Sequence, residues 1–75
     1  MLTLPPSVRI YLSAESVDLR KSIDGLSALV RTQSHDVYSG ALYVFRGRRA
    51  DRVKILVWDR GGFVVYYKRL EQGRF

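Results

Sequence analysis

The sequence predicts an α+β fold in which an N-terminal strand and one amphipathic helix precede a three-stranded antiparallel meander. Apolar residues recur at helical spacing in the first half of the chain, whereas short apolar runs separated by glycine-bearing turns fill the second half. A chain of 75 residues has room for one small domain. We therefore expect a single domain over residues 1–75.

The first half contains one strand pattern and one helix pattern. Residues 8–12 alternate apolar and polar-tipped side chains, which is typical of a strand. Asp18 is the expected N-cap of the helix, with Ser16 as the competing cap. The polar segment 33–36 should end the helix. One face of the helix is apolar at spacings of four, three and four, widened by one neighbour: Leu19, Ile23, Leu26, Val30 and Leu29.

Three strands are predicted at about 41–46, 52–58 and 63–69. The turn at 59–62 is rich in hairpin residues, and we expect Gly47, Gly61 and Gly62 to serve turn geometry. Pairing Phe45 with Val53, and residue 58 with residue 63, fixes which side chains share a face. We expect the helix to cover this set: Tyr43, Phe45, Val53, Ile55, Val57, Val64 and Tyr66.

The opposite face of this predicted sheet is also apolar at one end. It carries Leu42 and Val44 together with four candidate protein-interface residues: Leu56, Trp58, Phe63 and Val65. An open apolar patch of this kind marks a partner, a second subunit or further chain beyond Phe75 that covers it. The alternative is that the N-terminal strand covers it. A slip of one residue in the pairing would exchange the two faces.

The net charge of +6 belongs to the second half of the chain. Residues 1–45 contain four basic and four acidic side chains, whereas residues 46–75 contain nine basic and three acidic ones. Arginine supplies ten of the thirteen bases, and its planar guanidinium binds phosphate in a bidentate manner. We predict nucleic-acid binding by an arginine-rich hairpin and the end of the last strand: Arg46, Arg48, Arg49, Arg52, Lys54, Lys68, Arg69 and Arg74.

Three features near these basic residues allow more than one interpretation. Arg20 and Lys21 are weaker candidates for phosphate contact. The pairing brings Arg52 opposite Arg69, which is unfavourable unless the register differs or an anion lies between them. Four aromatic residues belong to the last two strands: Trp58, Phe63, Tyr66 and Tyr67. They either stack on unpaired nucleic-acid bases or form the core of the sheet. Their high strand propensity favours the core.

The sequence offers little material for catalysis. It has no cysteine and a single histidine, His35, in a polar segment. Asp51 and Asp59 bracket one predicted strand, and at about 3.3 Å per residue they lie roughly 26 Å apart, too far to share a metal. We predict a protein that is not an enzyme and holds no metal or cofactor. The absence of cysteine and of a long apolar run favours the cytoplasm and excludes a membrane span.

Six segments in chain order carry a family resemblance: Asp18-Leu19-Arg20-Lys21, Ile23-Asp24-Gly25-Leu26, Phe45-Arg46-Gly47-Arg48-Arg49, Asp51-Arg52-Val53-Lys54-Ile55-Leu56, Trp58-Asp59-Arg60 and Tyr67-Lys68-Arg69-Leu70-Glu71-Gln72-Gly73-Arg74-Phe75. Together they resemble the small accessory proteins, of TnpB or second-reading-frame type, of bacterial insertion-sequence-66 transposons. The resemblance spans about Pro5 to Phe75. The segments at 45–49 and 68–75 are distinctive in combination.

The resemblance implies a role in transposition beside a separate transposase that carries the catalytic carboxylates. Transposon-end DNA, the transposase and further copies of the chain are the partners that it implies. Ser22 stands where relatives usually have glycine. Relatives also continue beyond the Gly-Arg-Phe segment, so we expect this chain to lack a C-terminal tail that they possess.

Overall fold

A computed structural model describes residues 8–75 and confirms the α+β class. The elements follow the predicted order: β1 (Ile10–Leu12), α1 (Ile23–Thr32), β2 (Leu42–Arg46), β3 (Arg52–Asp59) and β4 (Gly62–Arg69). The strands lie in one sheet in the order β1-β2-β3-β4. β1 pairs parallel with β2, whereas β2, β3 and β4 are antiparallel. The sheet is therefore mixed and four-stranded rather than a separate three-stranded antiparallel meander.

The helix begins later than its sequence pattern predicts. α1 starts at Ile23 with Ser22 as its N-cap, so both predicted caps are wrong. The backbone N–H of Arg20 donates to Asp18 Oδ1 at 3.0 Å, and this local turn competes with helix formation. The predicted end is correct, because α1 ends at Thr32, directly before the polar segment.

Helix α1 covers one face of the sheet, here called the covered face. Leu26 and Val30 are buried and belong to one cluster with Phe45 and Leu56 of the sheet. Leu19 packs against the same cluster, although it precedes the helix. The apolar spacing therefore identified the right contacts, while the local hydrogen bonding decided where the helix begins.

The predicted pairing is correct for one hairpin and wrong for the other. Trp58 lies opposite Phe63, as predicted. Phe45 pairs with Lys54, so the prediction that it pairs with Val53 is wrong by one residue. Because side chains alternate along a strand, this slip exchanges the faces of both β3 and β4. Five residues that were expected beneath the helix therefore lie on the face that α1 does not cover, here called the uncovered face, although Val57 is still buried there: Val53, Ile55, Val57, Val64 and Tyr66.

The same one-residue difference in register moves the expected open patch to the covered face. Leu56 has 0 % of its surface exposed, and Phe63 and Val65 pack against the core cluster. The ring of Tyr38 lies edge-on to Trp58, with centroids 5.0 Å apart. The prediction of an exposed face is therefore wrong for Leu56, whereas Trp58, Phe63 and Val65 are half-buried. The N-terminal strand does not cover them either, because β1 extends the sheet in its own plane.

Hydrogen bonds in the β2–β3 turn hold the observed register, which differs from the predicted one. Gly47 N–H donates to the Arg52 carbonyl at 3.0 Å, and Ala50 N–H donates to the Gly47 carbonyl at 3.0 Å. Gly47 also packs closely against the loop before α1, because a Cβ atom on it would lie 3.0 Å from Leu19 Cδ1 and would push that side chain aside. Gly61 has a φ of 85°, which agrees with the prediction that it serves the turn.

The described residues contain no helix with the length and hydropathy needed to cross a membrane.

Candidate nucleic-acid interface

A groove of about 680 Å³ lies beside the β2–β3 turn. One wall is formed by residues 16–20, which connect β1 to α1, and the other by the turn and the adjoining ends of β3 and β4. Two apolar side chains, Val17 and Leu19, line the first wall. Five basic residues line the groove: Arg20, Arg48, Arg49, Arg52 and Lys54.

Backbone hydrogen bonds attach the first wall to β2. Ser13 N–H donates to the Val44 carbonyl and Val17 N–H donates to the Arg46 carbonyl, both at 2.9 Å. The chain beyond β1 thus continues to follow the edge of β2. Leu19 then packs into the space that the missing side chain of Gly47 leaves. The width of the groove is therefore set by contacts with the sheet.

The second wall is held by the segment that follows β4. Leu70 N–H donates to the Asp51 carbonyl at 2.7 Å, and Phe75 N–H donates to the Ala50 carbonyl at 2.6 Å. These two bonds connect the last residues of the chain to the turn between Gly47 and Arg52. The distinctive segment at 68–75 therefore has a structural role, because it supports the turn that carries Arg48 and Arg49.

Lys54 lies on the covered face, and its side chain lines the groove. Its Nζ donates to the carbonyl of Lys21 at 2.9 Å, which ties β3 to the start of α1. The same ammonium group lies 5.5 Å from the centroid of the Tyr67 ring, a favourable cation–π distance. Lys54 therefore supports the fold as well as contributing charge to the groove.

Arg52 and Arg69 lie directly opposite each other, as predicted. Arg69 Nη2 contacts Glu71 Oε1 at 3.2 Å, and Arg52 Nε lies 3.8 Å from Asp51 Oδ1. Each guanidinium thus has a carboxylate nearby, which reduces the repulsion without an anion between them. The Arg52–Asp51 distance is too long for a hydrogen bond, and both atoms are buried without a partner among the described residues.

Asp18 and Arg20 form a closed ion pair on the first wall. Arg20 Nε and Nη2 donate to the carboxylate at 2.8 to 3.1 Å. These side-chain hydrogen bonds hold the pKa of Asp18 far below its ordinary value and raise the pKa of Arg20. Asp18 thus stays ionised and neutralises Arg20. No ion pair within residues 8–75 involves Arg48 or Arg49, so their charges are available.

The eight predicted nucleic-acid-binding residues do not form one surface. Four of them line the groove: Arg48, Arg49, Arg52 and Lys54. Two lie on the uncovered face, where Arg46 and Lys68 flank Val53 across the sheet. Arg69 is paired with Glu71, and Arg74 lies in the segment after β4. The structure thus brings four of the eight residues together in one groove.

Sequence reasoning missed the first wall of the groove. Residues 16–20 were assigned to the helix and its caps, whereas they form an extended segment and a turn. A signal was present, because Val17 and Leu19 alternate with the polar residues at 16, 18 and 20. Alternation with a period of two indicates an extended chain rather than a helix.

Comparisons with known proteins agree with the resemblance in the sequence. The sequence model of the family described as "IS66 Orf2 like protein" matches residues 8–75. The chain is 39% identical over 69 residues to "Uncharacterized protein y4jC" of Sinorhizobium fredii, covering 91% of this chain and 59% of that protein. It is 32% identical over 76 residues to "Uncharacterized protein y4hO" of the same organism, covering 100% and 66%.

The chain therefore spans about 59% and 66% of the lengths of these two relatives. No solved structure matches the chain.

Proposed function

The chain belongs to the IS66 Orf2-like family, and from this premise we propose that it assists transposition by holding DNA phosphates in the basic groove. The family supports the accessory role. DNA is the ligand that the groove's charge and shape favour. The two relatives are uncharacterized, so the proposed ligand rests on the groove itself.

One observation carries the proposal: Arg48 and Arg49 project from a turn that backbone hydrogen bonds hold in place, and Arg52 lies at the base of that turn. Arg48 and Arg49 are exposed, and no ion pair within residues 8–75 neutralises them. Arg52 lies at the base of the turn with 41% of its side chain exposed to the groove, and its buried Nε lies 3.8 Å from Asp51 Oδ1. Guanidinium groups held in this way bind phosphate oxygens at little entropic cost, because their backbone is already ordered.

The test removes the three turn arginines together. We expect the variant with Arg48→Ala, Arg49→Ala and Arg52→Ala to bind transposon-end DNA roughly tenfold or more weakly at low salt. The plot of log K against log salt should become shallower by about 0.9 for each phosphate that the variant no longer neutralises. Fluorescence anisotropy over a salt series measures both quantities.

A matched control removes the same number of charges away from the groove. The variant with Arg46→Ala, Arg60→Ala and Lys68→Ala has the same net charge as the test variant, but its substitutions lie on the uncovered face and in the β3–β4 turn. Its affinity and salt slope should stay close to those of the wild type. If the two triple variants lose affinity equally, the groove is not the DNA site.

The second candidate function is contact with another protein through the uncovered face. Ile10 and Leu12 are 59% and 70% exposed, and they lie on the same side of the sheet as Val44. We propose this face in place of the patch first expected around Leu56. Sedimentation of the chain, alone and with the transposase, should show association that Leu12→Asp abolishes. A monomer that does not co-sediment with the transposase would remove this candidate.

The absence of enzymatic activity and the cytoplasmic location stay predictions from the sequence. Within residues 8–75, no three histidine, cysteine or carboxylate side chains lie close enough to hold a metal ion. Incubation of supercoiled DNA with the purified chain and magnesium or manganese tests the first prediction. Cleavage above the background of a mock preparation would contradict it.

A further inference from the structure

The groove combines cationic side chains with one aromatic ring, and this combination indicates what form of DNA it holds. Tyr67 lines the groove together with the turn arginines. We propose that the groove holds an unpaired nucleotide, with the phosphate on the turn arginines and the base stacked on the Tyr67 ring. This inference rests on the proposed function and specifies the state of the strand that is bound.

The environment of Tyr67 suits stacking. Its position on β4 places it on the covered face, beyond the end of α1's apolar cluster, and 54% of its surface is exposed. The ammonium group of Lys54 lies over the ring at 5.5 Å and is itself held by the Lys21 carbonyl. The ring is therefore supported by a fixed cation while more than half of the residue remains open to a ligand.

The other aromatic residues first considered for stacking have different surroundings. Trp58 and Phe63 contact each other with centroids 4.9 Å apart, and Tyr38 packs against both. Trp58 and Phe63 are therefore half-buried in contacts with other aromatic rings, and neither lines the groove. Tyr66 is 40% exposed but lies on the uncovered face, away from the groove arginines. Tyr67 alone among these four residues lines the groove.

A ring in the groove adds affinity only when the base is unpaired. In duplex DNA the faces of the bases are covered by neighbouring base pairs, so a protein side chain reaches the phosphates and the groove edges instead. In a single strand the faces are accessible, and stacking on an aromatic side chain adds affinity for any base. The groove volume of about 680 Å³ lies within the range of about 300–1,000 Å³ for sites that take small molecules.

Arg52 provides the link between the stacked base and the phosphate. Arg52 and Tyr67 lie on the same side of the sheet, on adjacent strands, with Lys54 opposite Tyr67. The Nε–H of Arg52 is buried, but 41% of the Arg52 side chain is exposed, and Arg52 lines the groove. A phosphate that contacts the exposed part of this guanidinium lies beside a base stacked on Tyr67.

The experiment compares single-stranded and duplex oligonucleotides of the same sequence, measured by fluorescence anisotropy at one salt concentration. We expect tighter binding of the single strand. Tyr67→Ala should weaken single-strand binding by between about fivefold and 150-fold, the contribution of stacking one base, while leaving duplex binding nearly unchanged. Tyr67→Phe should retain the single-strand affinity. Tyr66→Ala is the matched control, since it removes a tyrosine from the same strand on the other face.

A second measurement needs no variant and therefore does not depend on how well Tyr67→Ala folds. A single strand containing 5-iododeoxyuridine is photo-crosslinked to the wild-type chain, and the modified peptide is mapped by mass spectrometry. Crosslinking at Tyr67 supports the inference. Crosslinking confined to other residues overturns it.

The outcomes separate the two proposals. Equal or tighter duplex binding that Tyr67→Ala does not affect overturns the unpaired nucleotide and leaves phosphate binding in the groove intact. Loss of single-strand affinity in Tyr66→Ala equal to that in Tyr67→Ala also overturns it. If the turn-arginine triple variant binds both forms of DNA as the wild type does, the proposed function itself fails.

Discussion

The two faces of the sheet differ although they are built from the same strands. The covered face carries the core cluster and, at one end, Lys54, Arg52 and Tyr67 in the groove. The uncovered face carries Ile55, Val64 and Tyr66 from the same two strands, without the helix. Neighbouring residues along β3 and β4 therefore have different roles, and the register between strands assigns them.

This difference shows how a small domain separates stability from binding. The buried part of the covered face stabilises the fold, and the groove lies where that face passes the end of the helix. Lys54 belongs to both parts, because it joins β3 to the start of α1 and lies beside Tyr67. Substitutions at adjacent positions on one strand should therefore have unequal effects, and these effects test the comparison.

The largest expected effect concerns adjacent residues at the centre of β3. Leu56→Ala should lower the free energy of unfolding by about 2–5 kcal/mol, because it leaves a cavity beneath the helix. Ile55→Ala, on the uncovered face, should cost clearly less. Urea denaturation followed by circular dichroism measures both. If Ile55→Ala costs as much as Leu56→Ala, the assignment of the faces is wrong.

The second prediction compares two lysines on opposite faces. Lys54→Met keeps the aliphatic stem but removes the hydrogen bond to the Lys21 carbonyl, so it should lower the free energy of unfolding by about 1 kcal/mol. Lys68→Met, on the uncovered face, should change it by less than about 0.5 kcal/mol. The same denaturation experiment tests both. Equal values for the two lysines would contradict a structural role for Lys54.

The smallest effect concerns the first wall of the groove. The lowered pKa of Asp18 means that ionisation of this carboxylate favours the folded state. That contribution is present above the ordinary carboxyl pKa of 3.8 and is lost as the pH falls toward the lowered pKa of the folded protein. Asp18→Asn should therefore be less stable than the wild type near neutral pH, and the difference should shrink in acid.

Stability curves between about pH 2 and pH 6 measure this dependence. The pair is exposed to solvent, so the difference should be small and should decrease with added salt. Arg20→Ala removes the partner of Asp18 and should show the same trend with pH. A difference that does not vary with pH would show that the ion pair does not stabilise the wall.

Much of the fold could be predicted because its signals are local. The helix-spaced apolar residues, the strand runs and the 59–62 turn predicted the element order, and the β3–β4 register followed from Trp58 and Phe63. The start of α1 could not be predicted, because the Asp18–Arg20 turn depends on side-chain hydrogen bonds that compete with the helix. The cap pattern alone does not reveal that competition.

The candidate site was predicted only in part. The charge excess after residue 45 identified the three turn arginines, which line the groove together with Lys54. The same charge excess grouped Arg46 and Lys68 with them, although both residues lie on the other face. The alternation at residues 16–20 indicated an extended segment, but the backbone bond from Val17 to Arg46 that places this segment beside the turn could not be predicted.

The sequence by itself determined the family, the α+β class and the concentration of positive charge around one turn, because composition, periodicity and motif order are properties of the chain. Only the tertiary structure decided which face of β3 and β4 is buried and which arginines share a surface. The reason is the alternation of side chains along a strand. A turn longer or shorter by one residue leaves the pattern of each strand unchanged but turns its side chains to the opposite face.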